Sequence, residues 1–291
     1  MTAAGVSPAG VSPAAGAELL AIAVAAASAA GELLASRAGR VLVAATKSSP
    51  TDVVTEMDRR AEDLIRERIL AARPGDTILG EEGGQIGDAT GGGVRWVIDP
   101  LDGTVNYLYG LHDWAVSIAA EAPWSDGGET SREIVAGAVL VPARGELFSA
   151  VRGAGAWLRS ASSAPVPLKC RAGVPLDQAL VGTGFGYLAA RRRIQGEIVA
   201  DLLPRVRDIR RGGSAAVDLC SVAAGRLDGF YERGLNYWDY AAGALIAAAA
   251  GAAVGDSRGG PPSTSMTVAA GPGLFGALVT ALSGLDAERD A

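Results

Sequence analysis

Histidine and cysteine are nearly absent from this sequence. Its 291 residues include one histidine, His112, and two cysteines, Cys170 and Cys220. A Ser-His-Asp or Cys-His mechanism would have to use His112, but no Gly-x-Ser-x-Gly elbow accompanies it, so we interpret it as a loop or packing residue. The two cysteines lack the spacing of metal ligands, which argues against a zinc site, and we interpret both as reduced residues in or near the core.

Phosphate-binding glycine loops and a net positive charge are also missing. The sequence contains neither a Walker-type Gly-Lys-Ser/Thr loop nor a dinucleotide fingerprint. Its 26 Lys and Arg are outnumbered by 32 Asp and Glu, and the net charge of −6 gives no global basic field for nucleic acid or a membrane surface. We interpret the local run Arg191-Arg192-Arg193 as the solvated face of a helix. The charge pattern therefore predicts neither a nucleic-acid nor a membrane partner.

The longest early apolar run, residues 19–30, is too short and too rich in alanine to cross a bilayer. It is bracketed by Glu18 and Glu32, and no basic region precedes it as in a signal peptide. We predict a buried first helix from about Ala17 to Ser36, in a cytoplasmic protein. Before it comes a low-complexity tail, residues 1–16, in which GVSPA occurs twice and which we expect to be disordered.

Two patterns of secondary structure divide the rest of the chain. Successive apolar segments with turn signals between them predict an antiparallel sheet in the first half. Beyond about residue 175, short strands alternate with helices, as in an α/β arrangement. We therefore expect an N-terminal α+β lobe over residues 17–160 and a C-terminal α/β lobe over residues 161–291, facing each other across a cleft. The predicted strands are 115–120, 134–141, 147–151, 156–158, 180–183, 209–210, 230–232 and 267–270, and the predicted later helices are 189–203, 214–224, 239–250 and 274–285.

A buried strand, Trp96-Val97-Ile98, runs into two aspartates three residues apart, Asp99 and Asp102. The proline between them fixes φ and the glycine after them permits unusual backbone angles, so the chain can turn sharply and aim both carboxylates at one point. Oxygen ligands of this kind suit Mg²⁺, which keeps waters and substrate phosphate as its other ligands. An ordinary Asp-Pro/Asp-Gly turn is the alternative interpretation.

Three further acidic segments have both a functional and a structural interpretation. Asp58 opens a helix of amphipathic pattern, where it and Thr55 could form only a capping pair. Glu81 follows the short strand 77–79 among glycines, where a solvated loop is the alternative. Asp239 opens a helix that is apolar on all sides and therefore buried, so it is either an N-cap or a ligand at the mouth of a cleft. Taken one at a time, these segments leave both interpretations open.

The order of these segments is specific. In chain order they are Lys47-Ser-Ser-Pro-Thr-Asp52 with Thr55 and Asp58, Gly80-Glu81-Glu82, Asp99-Pro-Leu-Asp102-Gly-Thr104, Arg211-Gly-Gly-Ser-Ala-Ala216 and Trp238-Asp239. From about residue 40 to 271 the sequence resembles the inositol monophosphatase family of Mg²⁺-dependent, lithium-sensitive phosphomonoesterases. Details such as TGFGY at 183–187 look closest to its actinobacterial SuhB-type members. Leu101 replaces a more usual isoleucine, and Tyr107 replaces a frequent phenylalanine, but neither change removes a ligand.

The resemblance implies a layered α-β-α-β-α sandwich of the sugar phosphatase type, usually a homodimer, with two to three Mg²⁺ ions in each active site. Glu81, Asp99 and the carbonyl of Leu101 match the ligands of the first metal. Asp99, Asp102 and Asp239 match those of the second, so that Asp99 bridges the two ions. Glu81 and waters match the ligands of a looser third ion.

The resemblance also implies roles in catalysis and substrate binding. Asp58 and Thr104 match the pair that orients and activates the attacking water, and Glu81 completes the implied catalytic set. Lys47 matches a residue on a mobile loop near the third ion. The implied substrate-binding positions are Leu101, Asp102, Gly103, Thr104, Gly213, Ser214, Ala215, Glu232 and Asp239.

The implied activity is hydrolysis of a small-molecule phosphate monoester, with myo-inositol 1-phosphate as the leading substrate. Histidinol phosphate, fructose 1,6-bisphosphate and 3′-phosphoadenosine 5′-phosphate are the alternatives within the same fold. Glu232 favours a polyol because it can accept hydrogen bonds from hydroxyl groups, and no extra basic pocket for a second phosphate is evident in the sequence. A binding or regulatory protein on a phosphatase scaffold is the alternative of a different class.

Overall fold

Two large β-sheets of different type and a separate antiparallel pair of short strands make up the sheet structure of the described residues. The computed structural model describes residues 12–38, 43–46, 53–87, 93–124, 131–160 and 163–289. The α-helices within these ranges are α1 (Pro13–Ala35), α2 (Glu56–Ala72), α3 (Thr104–Leu108), α4 (Ala189–Leu202), α5 (Ala215–Ala223), α6 (Tyr237–Ala249) and α7 (Phe275–Gly284). The strands are β1 (Val43–Thr46), β2 (Val53–Thr55), β3 (Thr77–Gly80), β4 (Gly84–Ile86), β5 (Arg95–Asp102), β6 (Ala115–Trp124), β7 (Ser131–Val141), β8 (Glu146–Val151), β9 (Gly155–Ser160), β10 (Val166–Pro167), β11 (Leu180–Thr183), β12 (Asp208–Arg210), β13 (Gly229–Glu232), β14 (Ala253–Gly255) and β15 (Thr267–Ala270).

The first sheet has eight strands in the order β10-β9-β8-β7-β6-β5-β3-β4. Its pairs are antiparallel except for β3 and β5, which run parallel and therefore end at the same edge. The second sheet has the order β12-β11-β13-β15-β14, in which β11 is parallel to both β12 and β13. The expected contrast between an antiparallel first half and an α/β second half is therefore present.

Four hydrophobic clusters separate five layers. Helices α1 and α2 cover one face of the first sheet, α5 and α6 lie between the two sheets, and α4 and α7 cover the outer face of the second sheet. Alternation along β5 serves two of these clusters, because Trp96 and Ile98 pack against α1 and α2 while Val97 faces α5 and α6. Full burial of such side chains contributes about 1.5–3 kcal/mol each. The α-β-α-β-α sandwich is thereby confirmed.

Helix α6 lies unusually close to the first sheet. A Cβ atom at Gly137 on β7 would be 3.2 Å from the Cα atom of Ala242, so the contact requires small residues on both elements. The helix also contacts β5 and β6. This packing brings the first turn of α6, with Asp239, to the acidic end of β5.

Helix α1 is long and apolar enough to cross a membrane by length and composition alone, over Ala14–Ala35. Its stripe of Leu19, Ala23 and Leu34 is buried against β6, β7, β8 and α2, whereas Glu18 and Glu32 are exposed on the opposite face. That arrangement is typical of a core helix in a soluble protein and establishes no membrane span. The predicted burial of the first helix is confirmed.

The start of α1 differs from the prediction. The helix begins at Pro13 rather than near Ala17, so residues 13–16 of the expected disordered tail are helical. The side-chain oxygen of Ser12 accepts a hydrogen bond from the amide of Ala15, and Pro13 has the φ angle that suits the first helical position. Residues 1–11 of the tail lie outside the described residues.

Several short strands are absent from the prediction. They are β1, β2, β4, β10 and β14, of two to four residues each. Strand β10 follows the predicted lobe boundary at residue 160 but pairs with β9 in the first sheet. The boundary itself stays a prediction. Cys170 and Cys220 are buried and unpaired, and His112 lies exposed in a loop, as expected.

Candidate active site

A cleft of about 420 Å³ opens where segments that follow β3, β5, β11 and β13 meet the first turns of α5 and α6. Most of the expected site residues line it. They are Glu81, Asp99, Leu101, Asp102, Gly103, Thr104, Gly213, Ala215, Glu232 and Asp239. Asp58 and Ser214 lie behind the wall, and Lys47 lies outside the described residues.

The end of β5 places the central carboxylates. Asp99 is 1% exposed, and one of its oxygens accepts a hydrogen bond of 2.9 Å from the amide of Leu101. Between Asp99 and Asp102 the pairing with β6 shifts register, so the strand kinks there. Gly103 then adopts φ of 90°, where a Cβ atom would also lie 2.8 Å from the carbonyl oxygen of Asp113. The turn thus depends on the glycine that follows the two aspartates.

Asp58 serves the helix cap and the cleft at the same time. Its Oδ2 atom accepts hydrogen bonds from the amide and the hydroxyl of Thr55, at 2.8 and 2.5 Å, which closes a capping box at the start of α2. Its Oδ1 atom faces the hydroxyl of Thr104 at 3.1 Å. Burial raises the pKa of Asp58 above its usual value, although the bonds from Thr55 oppose the shift. The structural and functional interpretations of this residue therefore coexist.

Ser214 lies against an expected metal ligand. It is 2% exposed, and its hydroxyl donates a 2.6 Å hydrogen bond to Oδ2 of Asp102 instead of facing the cleft. The amide of Ala216 donates to the same oxygen at 2.7 Å. Ser214 is the N-cap of α5, so the capping position holds it against Asp102. Its hydroxyl is therefore held against an expected metal ligand, and its expected contact with substrate stays a prediction.

Asp239 is likewise fixed by the helix it opens. It is the third residue of α6, and its Oδ2 atom accepts a 2.7 Å hydrogen bond from the amide of Asn236, the N-cap. The sequence left open whether Asp239 is a cap or a cleft residue. It is part of a capping box and also lines the cleft.

The acidic groups of the cleft strongly disfavour one another's ionised forms. Burial raises the pKa of Asp99 well above its usual range, and repulsion from Glu81, Asp102 and Asp239 raises it further. Burial and repulsion from Asp102 and Glu81 do the same for Asp239. Burial also raises the pKa of Asp102 to about 6, against the bonds from Ser214 and Ala216. A hard divalent cation suits this group of carboxylates, because it neutralises their negative charge and takes oxygen ligands.

The carboxylates do not form a completed coordination shell in the part of the chain that the structure describes. Asp102 is engaged by Ser214 and Ala216, and Asp99 shares a hydrogen bond with Glu81. The donor set nevertheless fits Mg²⁺ in type, since it consists of carboxylate and carbonyl oxygens around one cleft.

The opposite side of the cleft carries residues that the sequence reasoning missed. Arg191 lies against Gly186 and Gly234, and Arg211 packs over the ring of Phe185 at 5.9 Å. The charge of Arg211 opposes the rise in the pKa values of Asp102 and Glu232. The interpretation of the arginine run as a solvated helix face is therefore wrong for Arg191, because the turn before α4 brings it to the cleft. Arg211 is the first residue of the segment Arg211-Gly-Gly-Ser-Ala-Ala216, for which the resemblance implied no role of the arginine.

Comparisons with known proteins agree with this geometry. The model of the inositol monophosphatase family matches residues 16–285. SuhB of Mycobacterium tuberculosis (strain H37Rv), named an inositol-1-monophosphatase, is 50% identical over 241 residues, 81% of this chain and 80% of that protein. A solved structure of M. tuberculosis SuhB has a TM-score of 0.76 and 43% identity, covering 94% of this chain and 98% of that one. A Thermotoga maritima IMPase structure has a TM-score of 0.80 at 29% identity, covering 93% and 99%.

A further relative carries a different kind of name. The Escherichia coli (strain K12) protein named Nus factor SuhB is 41% identical over 244 residues, 83% of this chain and 86% of that protein.

The fold and the cleft define a phosphoric monoester hydrolase of a family that is generally metal-dependent. The chain belongs to the inositol monophosphatase family. It is an inositol-phosphate phosphatase, as the resemblance predicted.

Proposed function

We propose that the protein hydrolyses myo-inositol 1-phosphate to inositol and phosphate, with two to three Mg²⁺ ions in the cleft. The observation that supports this most is the convergence of Glu81, Asp99, Asp102 and Asp239 around one cleft, where burial and repulsion from the neighbouring carboxylates raise the pKa values of Asp99 and Asp239. When bound, the cations supply charge neutralisation for the phosphate and lower the pKa of a water. Glu81, Asp99, Asp102, Asp239 and the carbonyl of Leu101 would hold them.

Asp58 and Thr104 orient the attacking water. The Thr104 hydroxyl can donate its proton to Oδ1 of Asp58 while its oxygen accepts a hydrogen bond from that water. Because burial raises the pKa of Asp58, its carboxylate is a better proton acceptor than an exposed aspartate. Gly103 and Thr104 line the cleft, where we expect their amides to donate to phosphate oxygens, although the Gly103 amide bonds the carboxylate of Asp102 in this structure.

The alcohol side of the substrate meets Glu232, Gly213 and Ala215. Burial raises the pKa of Glu232 to about 8, and repulsion from Asp102 and Asp218 adds to the shift. Its carboxyl group also packs against Gly184, where a Cβ atom would overlap it. A carboxyl group held in this way can accept hydrogen bonds from the hydroxyls of a polyol and, when it is protonated, can donate one to them.

A second substrate class has support from Arg191 and Arg211. Both line the cleft and carry guanidinium groups, so they can receive a second phosphate on the same molecule. The sequence had suggested that no basic pocket was present. A bisphosphate such as fructose 1,6-bisphosphate is therefore the alternative substrate. Histidinol phosphate and 3′-phosphoadenosine 5′-phosphate have no residue that specifically favours them.

The remaining expectations belong to the same proposal. Inhibition by lithium and a homodimer follow from the family resemblance, and a cytoplasmic location follows from the interpretation of both cysteines as reduced. The alternative of a binding or regulatory protein is supported by the E. coli relative, which is named a Nus factor. That alternative does not require the complete set of carboxylates that lines this cleft.

Phosphate release from a substrate panel tests the proposal. The panel contains inositol 1-phosphate, histidinol phosphate, fructose 1,6-bisphosphate and 3′-phosphoadenosine 5′-phosphate, each with Mg²⁺, with EDTA and with added Li⁺. Preferred, Mg²⁺-dependent turnover of inositol 1-phosphate is the expected result. Preference for the bisphosphate would favour the second substrate class. No turnover of any member by folded, Mg²⁺-loaded protein would overturn the proposal in favour of a binding role.

A further inference from the structure

Glu62 is a buried carboxylate that has no part in the proposed chemistry. It lies on α2 one turn after Asp58 and is 1% exposed. Its two oxygens accept hydrogen bonds from two successive backbone amides, Oε2 from Glu82 and Oε1 from Gly83, each at 2.8 Å. Those amides belong to the turn between β3 and β4, which also carries Glu81.

The turn is shaped to receive this carboxylate. A Cβ atom at Gly80 would lie 2.8 Å from the Glu62 carboxyl group, so only glycine permits the close approach. At Gly83 a Cβ atom would overlap the guanidinium of Arg66. Two of the glycines that surround the acidic pair of this turn therefore make room for side chains of α2.

Arg66 completes the arrangement. It lies one turn after Glu62, and its Nη2 atom is 2.6 Å from Oε1 of Glu62. The same nitrogen donates to the carbonyl of Gly84 at 3.3 Å. Asp58, Glu62 and Arg66 thus follow one another at i, i+4 and i+8 on one face of α2. A single rigid helix contacts both Thr104 and the turn of Glu81.

We propose that Glu62 is a positioning residue that fixes the turn of Glu81 before metal binds. This inference rests on the proposed metal site. A carboxylate bonded to two adjacent amides holds a short turn more firmly than neutral acceptors do, because charge-assisted bonds are the stronger ones. Glu81 then needs no ordering when the cation arrives. Groups that orient metal ligands in this way typically change metal affinity about 10- to 100-fold when they are lost.

The test compares Glu62→Gln with Glu67→Gln in the full-length protein. Gln keeps the length of Glu62 but replaces one acceptor oxygen with an NH₂ group that opposes a backbone N–H. Glu67 is on the same helix but exposed, so its substitution is the matched control. We expect calorimetric titration with Mg²⁺ to show about tenfold or greater weakening in Glu62→Gln and no change in Glu67→Gln.

A second readout does not depend on metal or activity. In metal-free wild-type protein, the amides of Glu82 and Gly83 should exchange slowly with deuterated solvent, because Glu62 already holds them. In Glu62→Gln the same peptide should exchange at least tenfold faster, while peptides of α1 and α6 stay unchanged. A general loss of structure would instead accelerate exchange throughout the protein.

The outcomes separate the inference from the proposal beneath it. If wild-type protein binds no Mg²⁺, the proposed metal site fails. If wild type binds Mg²⁺ and folded Glu62→Gln binds it equally well, the positioning role is overturned. Should Glu62→Gln not fold, the wild-type exchange decides, since rapid exchange of Glu82 and Gly83 without Mg²⁺ would contradict a turn held by Glu62.

Discussion

The two sides of the cleft are built in opposite ways. On the acidic wall, formed by Glu81, Asp99, Asp102 and Asp239, the three aspartates each accept a backbone hydrogen bond from a nearby turn. On the basic rim, formed by Arg191 and Arg211, the contacts are of other kinds, because Arg191 lies against Gly186 and Gly234 while Arg211 packs over the ring of Phe185 and its charge opposes the rise in the pKa of Asp102.

This difference suggests that the acidic wall serves the chemical step, whereas the basic rim serves the recognition of substrate. The acidic wall is held by strand ends and helix caps, so its geometry is fixed by the fold. The basic rim consists of long side chains that contact glycines and an aromatic ring rather than strand ends and helix caps. We therefore expect changes on the wall to affect every substrate, and changes on the rim to affect some substrates more than others.

Among changes in the acidic wall, Asp99→Asn should reduce activity the most. It removes the carboxylate that the resemblance places between two metal ions, so phosphate release at saturating Mg²⁺ should fall below roughly 1% of wild type for all substrates. Circular dichroism should show an intact fold, because asparagine has the same shape and carries no charge to repel Asp102 and Asp239. Turnover of several per cent or more in the folded variant would contradict the bridging role.

Thr104→Ala should have the next largest effect. Loss of the hydroxyl that joins the attacking water to Asp58 should lower kcat roughly a hundredfold, with little change in KM. Thr104→Ser is the matched control, since it keeps the hydroxyl and should retain most of the activity. Steady-state kinetics on inositol 1-phosphate distinguish the two, and equal losses in both variants would exclude a role for the hydroxyl.

Arg191→Gln tests whether the basic rim affects some substrates more than others. A lost charge-assisted bond should lower kcat/KM for a bisphosphate about tenfold, and for inositol 1-phosphate much less. Arg192→Gln replaces an exposed neighbour on α4 and is the control. The informative quantity is the ratio of kcat/KM for the two substrates. An unchanged ratio would assign Arg191 no part in specificity.

Asp218→Asn tests the charge behind the cleft and should have the smallest effect. Burial raises the pKa of Asp218 to about 8, and repulsion from Asp102 and Asp113 adds to it. Since the folded state binds this proton more tightly than the unfolded state, its contribution makes the metal-free protein less stable as pH rises from about 4 to about 8.

The asparagine substitution should therefore stabilise the metal-free protein at pH 9, on the order of 1 kcal/mol or more, with a smaller gain at pH 5. Thermal unfolding at the two pH values measures it. Asp201→Asn, an exposed substitution on α4, supplies the control. A gain that is equal at both pH values would show that ionisation of Asp218 is not its cause.

The acidic wall was predictable because its signals are local. Asp99 and Asp102 stand next to a proline and a glycine that shape the turn, and Asp58 and Asp239 occupy helix-capping positions that sequence spacing reveals. The main helices of the second half were equally predictable, since their boundaries carry breaks in the apolar pattern.

Other features depended on packing between distant segments. The orientation of Ser214 toward Asp102, the position of Arg191 at the cleft and the bonds of Glu62 to another turn have no signal within a short window. Strands of two to four residues, such as β10 and β14, show no alternation long enough to detect. Such strands are defined by their pairing partners, as β10 is by β9 and β14 is by β15.

The stacking of α6 between the two sheets has a consequence for synthesis of the protein. Because α6 covers much of one face of the first sheet and also carries Asp239, a chain still emerging from the ribosome leaves that part of the face uncovered until α6 appears. Such an intermediate presents apolar surface to other chains and lacks one wall of its cleft. The same segment therefore covers apolar surface and adds a carboxylate to the cleft, so that we expect enzymatic competence only in chains that have been synthesised beyond α6.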